Sequence, residues 1–101
     1  MTNPLLAGLQ PTHPGELLRE VVLPAVKPGK TEVARLLGVS RQHLYDILNE
    51  KKPVTSQMAL RLAKLFGGSA QTWIKLQTAF DLRTAEAEMA EELERIPALE
   101  R

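Results

Sequence analysis

Arg41, Gln42, His43, Tyr45 and Asp46 crowd one short stretch, "LLGVSRQHLYDIL" (36–48), and each carries a different hydrogen-bonding side chain. Arginine bridges guanine O6 and N7, and glutamine bridges adenine N6 and N7; each such pair discriminates between bases by roughly 1–3 kcal/mol. Tyr45 suits either a thymine methyl or a phosphate. Asp46 either accepts from cytosine N4 or pairs with Arg41 or Lys51 and reads nothing. Catalysis is not expected: cysteine is absent, and His13 and His43 have no ligand partners at metal-binding spacing. Nor is there a glycine-rich phosphate loop, or a nucleophile with a base and an orienting group. No cofactor and no metal are expected.

Side chains aimed at base edges need a rigid mount, and the turn signals around them supply one. Pro14 opens a first helix at the position where its missing N–H costs nothing, Glu16 suits the positive end of that helix, and Pro24 is expected to end it. After the turn "KPGK" (27–30), "KTEVARLL" forms a second helix that Gly38 stops. Ser40 caps a third helix, whose buried stripe is Leu44, Ile47 and Leu48. Thr55 caps a fourth, with Ala59, Leu62, Ala63 and Phe66 on one face, and Gly67-Gly68 ends it. Ser69 caps a fifth, "AQTWIKLQTAFDL", in which Trp73, Leu76 and Phe80 share a side. Trp73 and Phe80 are read as core, since large apolar groups usually lie inside. His13 is read as a cap or surface residue. The fold class is all-α.

The second and third helices fit a helix-turn-helix spanning 30–49. With Lys30 as position one, Ala34 is fifth and Gly38 ninth. Val33, Leu37, Val39, Leu44 and Ile47 take the fourth, eighth, tenth, fifteenth and eighteenth places. A small residue at the fifth place lets the helices cross closely, glycine makes the sharp turn, and the apolar places lock the axes. A recognition helix enters the major groove by its N-terminal residues. Arg41, Gln42 and Tyr45 are therefore the expected base contacts. Lys30, Thr31, Ser40, Asn49, Lys51 and Lys52 are expected at the DNA backbone, with the free N–H groups of the second helix, from Gly29 on, suited to a phosphate oxygen.

The rest of the chain is ordinary for a globular protein, 44% hydrophobic and 25% charged over 101 residues, and one domain by length. Its net charge of +1 hides a division. Met1 to Phe66 carries nine Lys and Arg against five Asp and Glu, whereas Gly67 to Arg101 carries four against seven. Two surfaces with different partners are implied, the first for a polyanion. No run is long enough to span a bilayer, and "MTNPLLAGLQPTHPG" lacks the features of a signal peptide, so a cytoplasmic location is expected. The remainder, residues 83–101, is helical by propensity and acidic, with Ala85, Met89, Leu93 and Ile96 as a thin apolar seam ended by Pro97. It is either a solvated helix or a surface for dimerisation or a protein partner.

The helices flanking this motif make the first two-thirds of the chain resemble the five-helix DNA-binding domain of the phage-repressor and Cro superfamily, here with an additional C-terminal helix. "HPGELLREVVLPAV", "VARLLGVSRQHLYDILNEKKPVTSQMALRLAKLFG" and "WIKLQTAFDL", together about residues 13–82, resemble the HigA antitoxin (virulence-associated protein I) family. The resemblance implies a dimeric antitoxin that silences an RNA-cleaving toxin (HigB-like) encoded beside it and represses their shared operon by binding operator DNA. It places Arg41, Gln42 and Tyr45 at bases and Lys30, Thr31 and Lys52 at the backbone. Many relatives have Ser-Gln where this chain has Gly29-Lys30, and lysine there favours a plain phosphate contact. A solitary repressor of the same fold and a helical protein–protein adaptor are the alternative readings.

Overall fold

A computed structural model describes residues 12–100; the stretch before Thr12, on which most of the expectation of no signal peptide rests, and Arg101 lie outside the described residues. The elements are α1 (Pro14–Leu17), α2 (Lys30–Leu37), α3 (Arg41–Leu48), α4 (Ser56–Phe66), α5 (Ala70–Glu88) and α6 (Ala90–Glu94), with no strand among the described residues. The all-α expectation holds.

Local chemistry starts and stops most of these helices where the sequence says it should. Ser40 Oγ accepts from the His43 N–H at 3.0 Å, Thr55 Oγ1 from Met58 at 3.2 Å, and Ser69 Oγ from Thr72 at 3.2 Å. Each side chain satisfies an N–H of the first turn that has no partner within the helix. Gly38 closes α2 in the left-handed conformation, φ 75° and ψ 29°. The Val39 N–H then reaches the Ala34 carbonyl and the Gly38 N–H the Arg35 carbonyl, both at 3.1 Å. That pair of bonds turns the chain sharply into α3.

The first helix departs from expectation. Beyond α1 the chain continues as a π-helical turn (Leu18–Val22) and then a 3-10 turn (Leu23–Ala25) that contains Pro24. The Leu23 N–H bonds five residues back, to the Leu18 carbonyl. Widening the turn before a proline relieves its clash with the carbonyl four residues earlier, so Pro24 is accommodated and the helix stops one residue later.

The core is built at the crossing of these helices. Leu18, Val33, Ala34, Leu37, Leu44, Ile47, Leu48, Val54, Met58, Ala59, Leu62 and Trp73 are all buried. Trp73 is thus core, as expected. Phe80 is half-buried and meets the His13 ring edge-on, with centroids 4.9 Å apart. His13 is a cap, its Nδ1 accepting the Gly15 N–H at 2.8 Å, but it is buried rather than on the surface.

The fifth helix is longer than expected. Instead of ending near Leu82, α5 runs through the acidic stretch to Glu88, because no cap, glycine or proline interrupts residues 83–88. A break at Met89 leads to the short α6, and the helix is over by Glu94, before Pro97. The apolar seam does not reach the core: Met89, Leu93 and Ile96 stay exposed, as does Leu82. The principal extents are 53 × 29 × 24 Å.

Candidate nucleic-acid interface

α3 is held from three sides and presents its fourth. Beneath it, α1 approaches so closely that a methyl group on Gly15 would lie 1.9 Å from the Ile47 carbonyl oxygen. At its C-terminal end, the Arg19 guanidinium donates to the Leu48 carbonyl and pairs with Glu50 at 3.5 Å. Arg19 thereby satisfies a terminal carbonyl of α3 and adds positive charge at the negative end of its dipole. A second arginine does the same for α2: Arg61 Nη1 donates to the Leu37 carbonyl at 2.7 Å. On the remaining side, the loop after α3 is tied to α5, where buried Gln77 Oε1 accepts the Val54 N–H at 2.8 Å. Gln77 Nε2 donates to Asp81 at 2.9 Å, so both ends of this buried amide are satisfied.

Several expected contact residues share the exposed side. Arg41 and Gln42, the first two residues of α3, are exposed, and Arg41 has no ion pair among the described residues. Ser40 Oγ is occupied as a cap acceptor, which leaves its hydroxyl proton free to donate. Tyr45 is half-buried. The Lys30 ammonium stands 5.7 Å from the centre of its ring, within cation–π range. That contact brings the start of α2, with Gly29, Lys30 and exposed Thr31, beside the middle of α3. Asn49, Lys51 and Lys52 are exposed where α3 ends. Glu50 turns the chain there with φ 62°, a left-handed conformation uncommon outside glycine.

The two pairings that the sequence allows Asp46, with Arg41 and with Lys51, are both absent. Asp46 Oδ1 instead accepts from Gln42 Nε2 at 2.8 Å, and Oδ2 lies 3.6 Å from Lys52 Nζ. The Gln42–Asp46 spacing of four residues is the signal that favours this pair on a helix. The roles of Gly15, Arg19, Arg61 and Gln77 had no such signal.

Away from this face, burial is the main cause that lowers the His13 pKa below the ordinary imidazole value of 6.5, with the Glu50 and Asp81 carboxylates opposing it. Among the described residues no cluster of side chains could hold a metal ion, and no helix is long and apolar enough to cross a membrane.

Two helices joined through a left-handed glycine, the second presenting polar side chains from an otherwise braced position, define a helix-turn-helix DNA-binding protein, a class without catalytic function. Comparison with known proteins agrees: residues 29–73 match the helix-turn-helix family model. Virulence-associated protein I of Dichelobacter nodosus is 43% identical over 74 residues, covering 73% of this chain and 68% of that protein. The solved structure of antitoxin GraA is 40% identical with a TM-score of 0.84, covering 91% of this chain and all of that one. Pseudomonas aeruginosa antitoxin HigA, solved with the higBA promoter, is 37% identical with a TM-score of 0.85, covering 90% and 100%. The chain belongs to the HigA-type antitoxin family of helix-turn-helix proteins.

Proposed function

We propose that this chain is the antitoxin of a two-component module, binding operator DNA upstream of its own operon and neutralising an RNA-cleaving partner protein encoded beside it. The observation that carries the reading is the common face formed by Arg41, Gln42, Tyr45, Lys30 and Thr31, with Lys51 and Lys52 at its edge. α3 lies in the major groove with Arg41, Gln42 and Tyr45 at bases. The start of α2, Ser40, Asn49, Lys51 and Lys52 meet the DNA backbone on either side. Two copies read half-sites about 34 Å apart, one helical turn of DNA. The protein works in the cytoplasm.

The HigA relative solved with its promoter supports the DNA half of this reading. The test has two arms. In the first, fluorescence anisotropy follows the purified chain on its own upstream duplex and on a scrambled duplex across a salt series. Tighter, salt-dependent binding to the upstream duplex is expected; equal binding to both, or none, sinks the operator assignment. In the second, the adjacent reading frame is expressed with and without this chain. Growth arrest relieved by the chain is expected, together with co-purification of the two products. Failure of this arm alone leaves a solitary repressor.

A further inference from the structure

We infer that Asp46 is a positioning residue for base reading: it holds the Gln42 side-chain amide in one orientation and so commits it to adenine. The inference rests on the DNA-binding reading above and adds to it the base that one position selects and the residue that imposes the choice.

A glutamine amide offers an oxygen that accepts and a nitrogen that donates twice, and the unrestrained group can turn over to present either end. A carboxylate only accepts. The Gln42 Nε2–Asp46 Oδ1 bond of 2.8 Å therefore fixes the nitrogen towards Asp46. One N–H and the carbonyl oxygen are left for a ligand, a donor beside an acceptor in a set order. The major-groove edge of adenine supplies their complement, the N6 amino donor beside the N7 acceptor. Guanine presents two acceptors, O6 and N7, so one of them would oppose the fixed Gln42 oxygen. Turning the amide over to suit guanine would set that oxygen against the Asp46 carboxylate.

Asp46 itself is well restrained. Its side chain is only 16% exposed, and Lys52 Nζ lies 3.6 Å from its second oxygen. A carboxylate on a DNA-facing helix repels phosphates, and the Lys52 ammonium offsets that charge without touching the oxygen that binds Gln42. Lys52 thus divides its charge between Asp46 and the DNA, whereas Lys51 has no ion pair among the described residues.

The test is selection of binding sites from a random duplex library by the full chain, carried out for the wild type, D46A, Q42A and the double variant. The wild type is expected to prefer adenine at one position of each half-site by about tenfold or more, the range of a bidentate contact. D46A should lose most of that preference while keeping those at the other positions, and should bind unrelated DNA more tightly because a negative charge has gone. In the Q42A background, D46A should change no base preference, since Asp46 acts through Gln42. D46N, whose own amide can turn over, should fall between wild type and D46A, and it serves in place of D46A should that variant not fold. Unchanged adenine preference in D46A and D46N, or a wild-type preference for guanine at that position, overturns the inference and leaves operator binding standing. A wild type that selects no sequence overturns the operator reading itself.

Discussion

Gly15 and Ile47 meet backbone to backbone: the space a β-carbon would need on Gly15 is filled by the Ile47 carbonyl oxygen, 1.9 Å from the ideal methyl position. The first helix therefore seats directly on the recognition helix, and glycine is required for its lack of a side chain. Gly15→Ala is expected to destabilise the fold by about 3 kcal/mol, at the upper end for overpacking, because rigid backbone must move. Gly29 provides the contrast. A β-carbon there meets nothing within 4 Å among the described residues, so Gly29→Ala should cost under about 1 kcal/mol, the modest difference between the two residues at a helix cap. Urea unfolding of both variants measures the gap; equal losses would show that the α1–α3 approach is not what Gly15 serves.

Gln77 ties α5 to the loop that follows the recognition helix, across 23 residues of sequence. Gln77→Leu keeps the volume of the side chain but leaves the buried Val54 N–H without an acceptor. The expected cost is about 1–3 kcal/mol, the penalty of a buried donor left unsatisfied. Amide hydrogen exchange provides a local readout. Val54 should lose protection in Gln77→Leu by more than the global loss of stability accounts for, and a uniform change across the core would argue against the tie.

These two relationships mark the boundary of what the sequence discloses. Ser40, Thr55 and Ser69 were readable as caps because each bonds an N–H three residues on. Gly38 was readable because a left-handed turn has few alternatives, and Leu44, Ile47 and Leu48 because burial on a helix has a period. Arg19 on the Leu48 carbonyl, Arg61 on the Leu37 carbonyl and Gln77 on Val54 span 29, 24 and 23 residues, and no local spacing encodes such contacts. Asp46 lies between these cases. Its i,i+4 neighbour Gln42 has a spacing that favours pairing, but Arg41 and Lys51, five residues away, and Lys52, six away, are all near in sequence, and only the folded geometry selects Lys52. The length of α5 is hidden in the sequence for a different reason: the change from apolar to acidic composition after Leu82 alters what the helix faces, not whether it continues.

His13 makes stability depend on pH, with a definite sign. Its Nδ1 accepts the Gly15 N–H, which only the neutral ring can do, and burial depresses its pKa below 6.5 more than Glu50 and Asp81 raise it. Above 6.5 both folded and unfolded chains carry a neutral ring, and the contribution is present in full. As pH falls below 6.5 the unfolded chain takes up the proton first, so stability declines until the depressed folded value is reached. Urea midpoints at about pH 7.5 and about pH 5.5 should show the acid loss in the wild type. His13→Asn, which keeps an oxygen to cap α1 and removes the titration, should flatten the difference. A wild type that gains stability on acidification would contradict this account.

Arg41 and Lys51 should separate the two components of DNA affinity. Arg41 opens α3, exposed and without an ion pair among the described residues, where its planar fork can meet a guanine edge. Lys51 stands beyond the other end of the helix, exposed, at the place proposed to meet phosphates. Arg41→Ala is expected to weaken the preferred site by about 1–3 kcal/mol and hardly alter binding to unrelated DNA, with the lost preference confined to one position. Lys51→Ala should weaken every duplex alike and reduce the slope of log affinity against log salt by about one. Lys52→Ala should reduce it by less, because part of that charge already faces Asp46 at 3.6 Å. Anisotropy titrations over a salt series, on preferred and scrambled duplexes, resolve all three. A uniform loss in Arg41→Ala with the same drop in salt slope as Lys51→Ala would move Arg41 from the bases to the backbone.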